Sequence, residues 1–162
     1  MAEFNSAENL NMNLAENLSM DVMTGGLDER MFLYFRLSGS MKKADGVDII
    51  VSFLMESGVK MILKDLDQAL QRGAKIRILT GNYLGITQPS ALYLIKRKLG
   101  DQVDLRFYND PKRSFHPKAY MFHYATYSEM YIGSSNVSRS ALTSGIEWNY
   151  RFNSKTDPES YQ

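Results

Sequence analysis

Apolar residues along this chain follow a helical rhythm in some stretches and a strand rhythm in others. "DERMFLYFRLSGSMKKA", residues 28–44, spaces its large side chains along one face of a helix, with Asp28 positioned to cap it. "GVDIIVSFLM" follows, a run of β-branched and apolar residues after a glycine, which predicts a buried strand. "GVKMILKDLDQALQRG" returns to helical spacing, where Met61, Leu63, Leu66 and Leu70 approximate the apolar face and Gly73 is placed to end it. "AKIRILTG" is the next strand. "QPSALYLIKRKLG" is the next helix, with Pro89 near its first turn and Gly100 after its last. "QVDLRFYN" reads as a third strand.

Beyond that point the pattern changes. "FHPKAYMFHY" and "SEMYIGSSN" read as neighbouring strands joined by a short connection around residues 125–127. "VSRSALTSG" is a short helical turn and "IEWNYRF" a last strand. Alternating strands and helices imply parallel strands with helices packed on the sheet, and the later strands add a mixed or antiparallel part. The expected fold class is therefore α/β: an α/β/α sandwich around a mixed, largely parallel sheet. Three regions follow: a leader at 1–26, a folded domain at 27–153, and a polar tail or linker at 154–162. In the leader "AENL" occurs at 7–10 and again at 15–18, and Leu10, Leu14 and Leu18 fall four apart. That pattern suits a disordered arm or a short helix that packs on a partner.

Composition narrows the setting. A chain of 162 residues, 44% hydrophobic, can bury one sizeable core. No apolar run is long enough for a membrane span, and no basic segment precedes an apolar one as in a signal peptide. A cytoplasmic protein that does not enter a membrane is expected. The absence of cysteine excludes disulfides and thiolate metal sites. A net charge of +1 excludes the global basic field of a strong nucleic-acid binder. Positive charge is local instead. Lys96, Arg97 and Lys98 suit a helix C-terminus, whereas Lys112, Arg113 and Lys118 bracket a histidine.

That histidine lies in "RSFHPKAYMF". Residues i and i+2 of a strand share a face, so His116 and Lys118 are expected to point together, with Pro117 suiting a strand start. A lysine on an apolar strand needs an anion or water near its nitrogen. The neighbouring strand ends in "GSSN", residues 133–136, and the last begins "GIEWN", containing Glu147. Imidazole, ammonium, amide and hydroxyls together make a phosphate-binding set. Lys118 and Asn136 would hold non-bridging oxygens. Glu147 could accept the proton of one His116 ring nitrogen and leave the other free to attack. His123 falls on the opposite face by alternation and is expected to be structural, so the two histidines cannot share a metal ion. No metal or cofactor is expected. Arg139, in "VSRSAL", is either a phosphate contact or a surface cation. Trp148, Tyr120, Tyr131 and Tyr150 read as core or dimer packing. "TGNYLGI" lacks the lysine and spacing of a nucleotide-binding loop and reads as a loop near the site mouth.

"HPK", then "GSSN", then a glutamate eleven residues after that asparagine resembles the phospholipase D (HKD) superfamily. "VSFLMESG", "IRILTGNYLGITQP", "SFHPKAYMF" and "GSSNVSRSALTSGIEWN" are similar to its nuclease-like branch. That branch is found at the N-terminus of certain bacterial DEAD/DEAH-type helicases and in a metal-independent restriction endonuclease. The resemblance covers residues 28 to 152 and implies a metal-independent phosphodiesterase acting on nucleic acid, DNA first. It implies His116 as the nucleophile of a phosphohistidine intermediate, Lys118 and Asn136 as phosphate ligands, Ser134 or Ser135 as their support, and Glu147 as the orienting acid. The family needs two half-sites, and this chain has one "HxK". A homodimer with two His116 side by side across a twofold axis would supply both. A helicase domain in the full-length protein is a further expectation. The aspartate usual five places after the lysine is His123 here, which favours the alternative of a catalytically weak, phosphate-gripping or dimerising module. Lipid phosphodiester hydrolysis fits less well, without a membrane-facing amphipathic helix or export signal.

Overall fold

The structure, a computed structural model, describes residues 21–159. The leader's Leu10, Leu14 and Leu18, and the last three residues, lie outside the described residues. Seven strands build one sheet: β1 (Val22–Gly25), β2 (Gly46–Val51), β3 (Lys75–Gly81), β4 (Val103–Tyr108), β5 (Lys118–His123), β6 (Ser128–Gly133) and β7 (Ile146–Asn153). Their order across the sheet is β1-β7-β6-β5-β2-β3-β4. Four helices accompany them: α1 (Leu33–Met41), α2 (Glu56–Gln71), α3 (Pro89–Leu99) and α4 (Arg139–Leu142).

The mixed α/β sheet follows from the sequence pattern. β2, β3 and β4 run parallel, joined through α2 and α3, and successive crossovers in one direction put both helices on one face. The remaining four of six pairings are antiparallel, so the parallel part is the β2–β4 half of the sheet. Alternation decides which side chains are buried. Val47, Ile49, Val51, Ile76, Ile78, Tyr120 and Phe122 point toward the helices and meet Leu37, Met41, Ile62, Leu66 and Ile95. Among the described residues the helices pack against one another as a single layer. A second helical layer is not found among them. On the opposite face Ile132, Trp148 and Tyr150 are exposed, whereas Tyr120 and Tyr131 are core.

Two boundaries differ from the sequence reading. The helix expected over 28–44 is broken, because Asp28 caps a separate 3-10 turn, Glu29–Met31, accepting the Arg30 backbone N–H at 3.0 Å. Phe32 then leaves helical geometry and α1 starts at Leu33. Val22–Gly25, placed in the leader by sequence, is an edge strand paired antiparallel with β7. Gly25 there has φ +66°, a conformation glycine adopts without strain, and a side chain at this position would run into the Gly145 carbonyl.

This topology gathers the chemistry at one edge. β2, β3 and β4 end there, β5 starts there, β6 ends there and β7 starts there, as the pairs Val51–Lys118, Ala119–Ile132 and Gly133–Asn149 require. The crevice beyond the carboxyl ends of parallel strands is where open α/β sheets bind ligands.

Candidate active site

Lys118 is the first residue of β5 and is buried, with 8% of its surface exposed. Pro117 precedes it, and the Pro117 carbonyl accepts from Ser52 Oγ at 3.2 Å, which anchors the strand start to the end of β2. His116 thus lies before the strand and is exposed. Lys118 Nζ curls back to it, 2.8 Å from His116 Nε2 and 3.0 Å from the His116 carbonyl. An ammonium has only donors, so Nε2 accepts and a neutral ring carries its proton on Nδ1. Nε2 is thereby the ring atom with a lone pair beside the cation. Burial pushes the Lys118 pKa below the ordinary lysine range, while the negative charge of Glu147 acts in the opposite sense. The Tyr83 ring lies over the imidazole, with centroids 4.3 Å apart and planes tilted by 49°.

Asn136 is buried, and its Oδ1 accepts the backbone N–H of Phe53 at 3.1 Å. That bond fixes the orientation of the amide, so the Nδ2 group, which has no hydrogen-bond partner among the described residues, is the donor left for a ligand. The loop carrying Asn136 is clamped onto the start of α2. Met55 N–H donates to the Val137 carbonyl at 2.9 Å, and at Gly58 a side chain would meet Ser138 N at 2.5 Å.

Ser134 and Glu147 form a second pair. Ser134 Oγ donates to Glu147 Oε2 and accepts the Trp148 N–H at 3.0 Å. This corrects the expected contact: the Glu147 carboxylate is held by Ser134, and no hydrogen bond joins it to the His116 ring among the described residues. The cause is register. Pairing Gly133 with Asn149 sets Ser134 abreast of residues 147–148, and Ser134 N–H donates to the Trp148 carbonyl at 2.9 Å. Ser135 is fully buried, donating to the Ala141 carbonyl at 3.0 Å and accepting from Asn149 Nδ2 at 2.9 Å. Its own carbonyl accepts the Tyr120 hydroxyl at 3.0 Å, so Ser135 braces the loop and faces no ligand. The Arg139 side chain is exposed on the single turn of α4 and contacts none of these groups, and its backbone N–H donates to Ser57 Oγ at 3.3 Å.

His123 sits at the far end of β5. Its Nε2 lies 2.9 Å from Asp48 Oδ2 and its Nδ1 3.1 Å from Ser128 Oγ, so the ring ties β2 to β6 across β5. Arg77 reaches the same carboxylate at 2.6 and 2.5 Å. Burial raises the Asp48 pKa, but the bonds from Arg77 and His123 outweigh it and hold the carboxyl below the usual range. The carboxylate that the phospholipase D-type pattern would put on β5 comes here from β2. Among the described residues no cluster of three or more histidine or carboxylate side chains could hold a metal ion, and no helix is long and apolar enough to cross a membrane.

Two contributors escaped the sequence reading. Tyr83 was legible only as part of a loop near the site mouth, and the Phe53 N–H is a backbone donor that no motif encodes.

A histidine and a buried lysine at the start of an antiparallel strand, facing a "GSSN" loop across the carboxyl edge of a mixed sheet, define an α/β phosphate-handling domain. Residues 38–162 match the family described as cardiolipin synthase, PLD-like domain, and the chain belongs to this phospholipase D-like family. No curated protein sequence matches the chain. Among solved structures, NucT from Helicobacter pylori is similar with a TM-score of 0.58 at 15% identity, over 86% of this chain and 90% of that one. A polyphosphate kinase from Porphyromonas gingivalis is similar with a TM-score of 0.56 at 16% identity, over 77% of this chain and 21% of that one. At such identities the likeness is one of fold.

Proposed function

We propose that the chain is a metal-independent phosphodiesterase acting on nucleic acid, DNA first, through a covalent phosphohistidine at His116. The observation that carries this reading is the geometry at His116: an Nε2 lone pair beside the buried Lys118 ammonium, with the free Asn136 amide donor fixed on the facing loop. Family membership and the nuclease among its structural neighbours support it.

In the first step Nε2 attacks phosphorus, the P–N bond forms, and the bond to the leaving oxygen breaks. That oxygen takes a proton from a second imidazole. Lys118 and Asn136 meet the charge that builds on the non-bridging oxygens, where fixed donors act more strongly than water. Water then attacks phosphorus, giving its proton back to the second imidazole, and the P–N bond breaks to release a phosphate monoester and free His116. Glu147 acts through Ser134 and through its field on Lys118. One chain carries one such histidine, so a homodimer with the site at its twofold axis supplies the second. A place within a helicase or restriction-type protein completes the reading.

Plasmid and single-stranded DNA incubated with the protein in EDTA test it. Cleavage is expected, and His116→Ala is expected to abolish it. Cleavage that needs a divalent metal, or that survives the substitution, overturns it. His123 at the usual aspartate position and the modest net charge favour a second reading, a phosphate-gripping module, for which the same assay gives salt-dependent binding without cleavage.

A further inference from the structure

Beside His116 lies a cleft of about 390 Å³ that the phosphate-handling groups leave unused. Tyr83 and Leu84 form one wall, Tyr108 and Phe115 the other, and Lys112 and Arg113 stand at the rim. Tyr83 belongs to both places, because its ring also lies over the His116 imidazole. Tyr108 and Phe115 stack with centroids 4.8 Å apart and planes 21° from parallel. Phe115 is seated over Gly81 so closely that a Cβ there would be 2.9 Å from its ring. Leu84 is held at φ +51°, a left-handed conformation rare for a branched residue, and 78% of its surface faces solvent.

The rim is cationic and open. The Lys112 ammonium has no partner among the described residues. Arg113 is 80% exposed and only 3.8 Å from Asp110, the single carboxylate of the lining. Asp110 already accepts the Lys112 backbone N–H at 2.9 Å and the Tyr108 hydroxyl at 3.4 Å. A flat aromatic wall under two unclaimed cations, one step from a phosphate-handling histidine, matches a base followed by its next phosphate. A lipid headgroup has no flat face to lay on these rings. A paired base would have to leave its stack to enter.

We propose that this cleft is a nucleotide subsite, taking an unpaired base next to the scissile phosphodiester against Tyr83 and the following phosphate on Lys112 and Arg113. The substrate class of the His116 site is then a single-stranded polynucleotide. This rests on the phosphodiesterase reading above, but it is decided by binding.

The test uses the full chain carrying His116→Ala, to prevent turnover. Fluorescence anisotropy follows a labelled single-stranded oligonucleotide and a duplex of the same sequence. The single strand is expected to bind more tightly. Lys112→Ala with Arg113→Ala should weaken it about tenfold and flatten the salt dependence by one to two counterions, roughly 0.7 of slope for each phosphate released. Tyr83→Ala should weaken it to a similar degree, about fivefold or more, and Tyr83→Phe should not. With His116 intact, the lysine–arginine double variant should hydrolyse bis(p-nitrophenyl) phosphate, which has no second phosphate, at the unsubstituted rate. Unchanged oligonucleotide affinity, equal affinity for the duplex, or Tyr83→Phe as damaging as Tyr83→Ala overturns the subsite. So does a fall in oligomer mass on removing the two cations, which would make the cleft an interface between copies. Failure of the unsubstituted protein to hydrolyse the small diester rejects the catalytic reading instead, and the binding comparison still decides the subsite.

Discussion

A buried ammonium with no carboxylate on its nitrogen destabilises a fold, and Lys118 is such a group. It is tolerated beside His116 because a bound phosphate is the counter-charge it lacks. Lys118→Met is therefore expected to lower turnover on the order of 10²–10³-fold, as loss of a transition-state donor does, while leaving the melting temperature equal or higher. The pH dependence carries a sign. The folded pKa of Lys118 lies below its unfolded value, so between the two the unfolded chain binds more protons and stability rises with pH. Activity should fall over the same alkaline window as the ammonium loses its charge. Thermal melts and rates measured across that limb should move in opposite directions, and Lys118→Met should remove the stability trend. His116, Lys118 and Asn136 were legible because their order along the chain is distinctive. The donor set of Asn136 was not, because the Phe53 backbone N–H that fixes its amide comes from 83 residues away.

At the scale of elements, β5 has two ends with separate duties. Its start delivers Lys118 to the site, and its last residue, His123, braces β2 and β6 through Asp48 and Ser128. The Asp48 carboxyl is held below its unfolded pKa, so its stabilisation is present above the ordinary carboxylate range and is lost as pH falls through the folded value. Asp48→Asn is expected to reduce stability at neutral pH by about 2 kcal/mol and to flatten the acid limb of the unfolding curve. Arg77 is 67% exposed, and the solvent around it screens its share. Urea titrations between acid and neutral pH check both. Strand and helix runs from residue 46 onward were readable because β-branched stretches are punctuated by glycine and proline. β1 was not, since its four residues pair with a strand more than 120 positions later. Likewise the partner of Glu147 follows from a strand register, which a motif does not carry.

Across the whole molecule, a nearly neutral chain concentrates its chemistry along one sheet edge. The edge joins residues 116–118, 134–136 and 147 through the reversal between parallel and antiparallel strands. The family and the mixed sheet were evident in the sequence. The single helical layer was not, because periodicity says which face of a helix is apolar but not which side of a sheet receives it. In this account one chain supplies the nucleophile and the phosphate grip, and a second imidazole supplies the proton. The most direct measurement is to quench the reaction on a radiolabelled phosphodiester in EDTA and map the labelled peptide. The account requires an acid-labile, base-stable phosphoryl group on the peptide containing His116, absent from His116→Gln. Turnover with no labelled enzyme, or label that persists in His116→Gln, would contradict it.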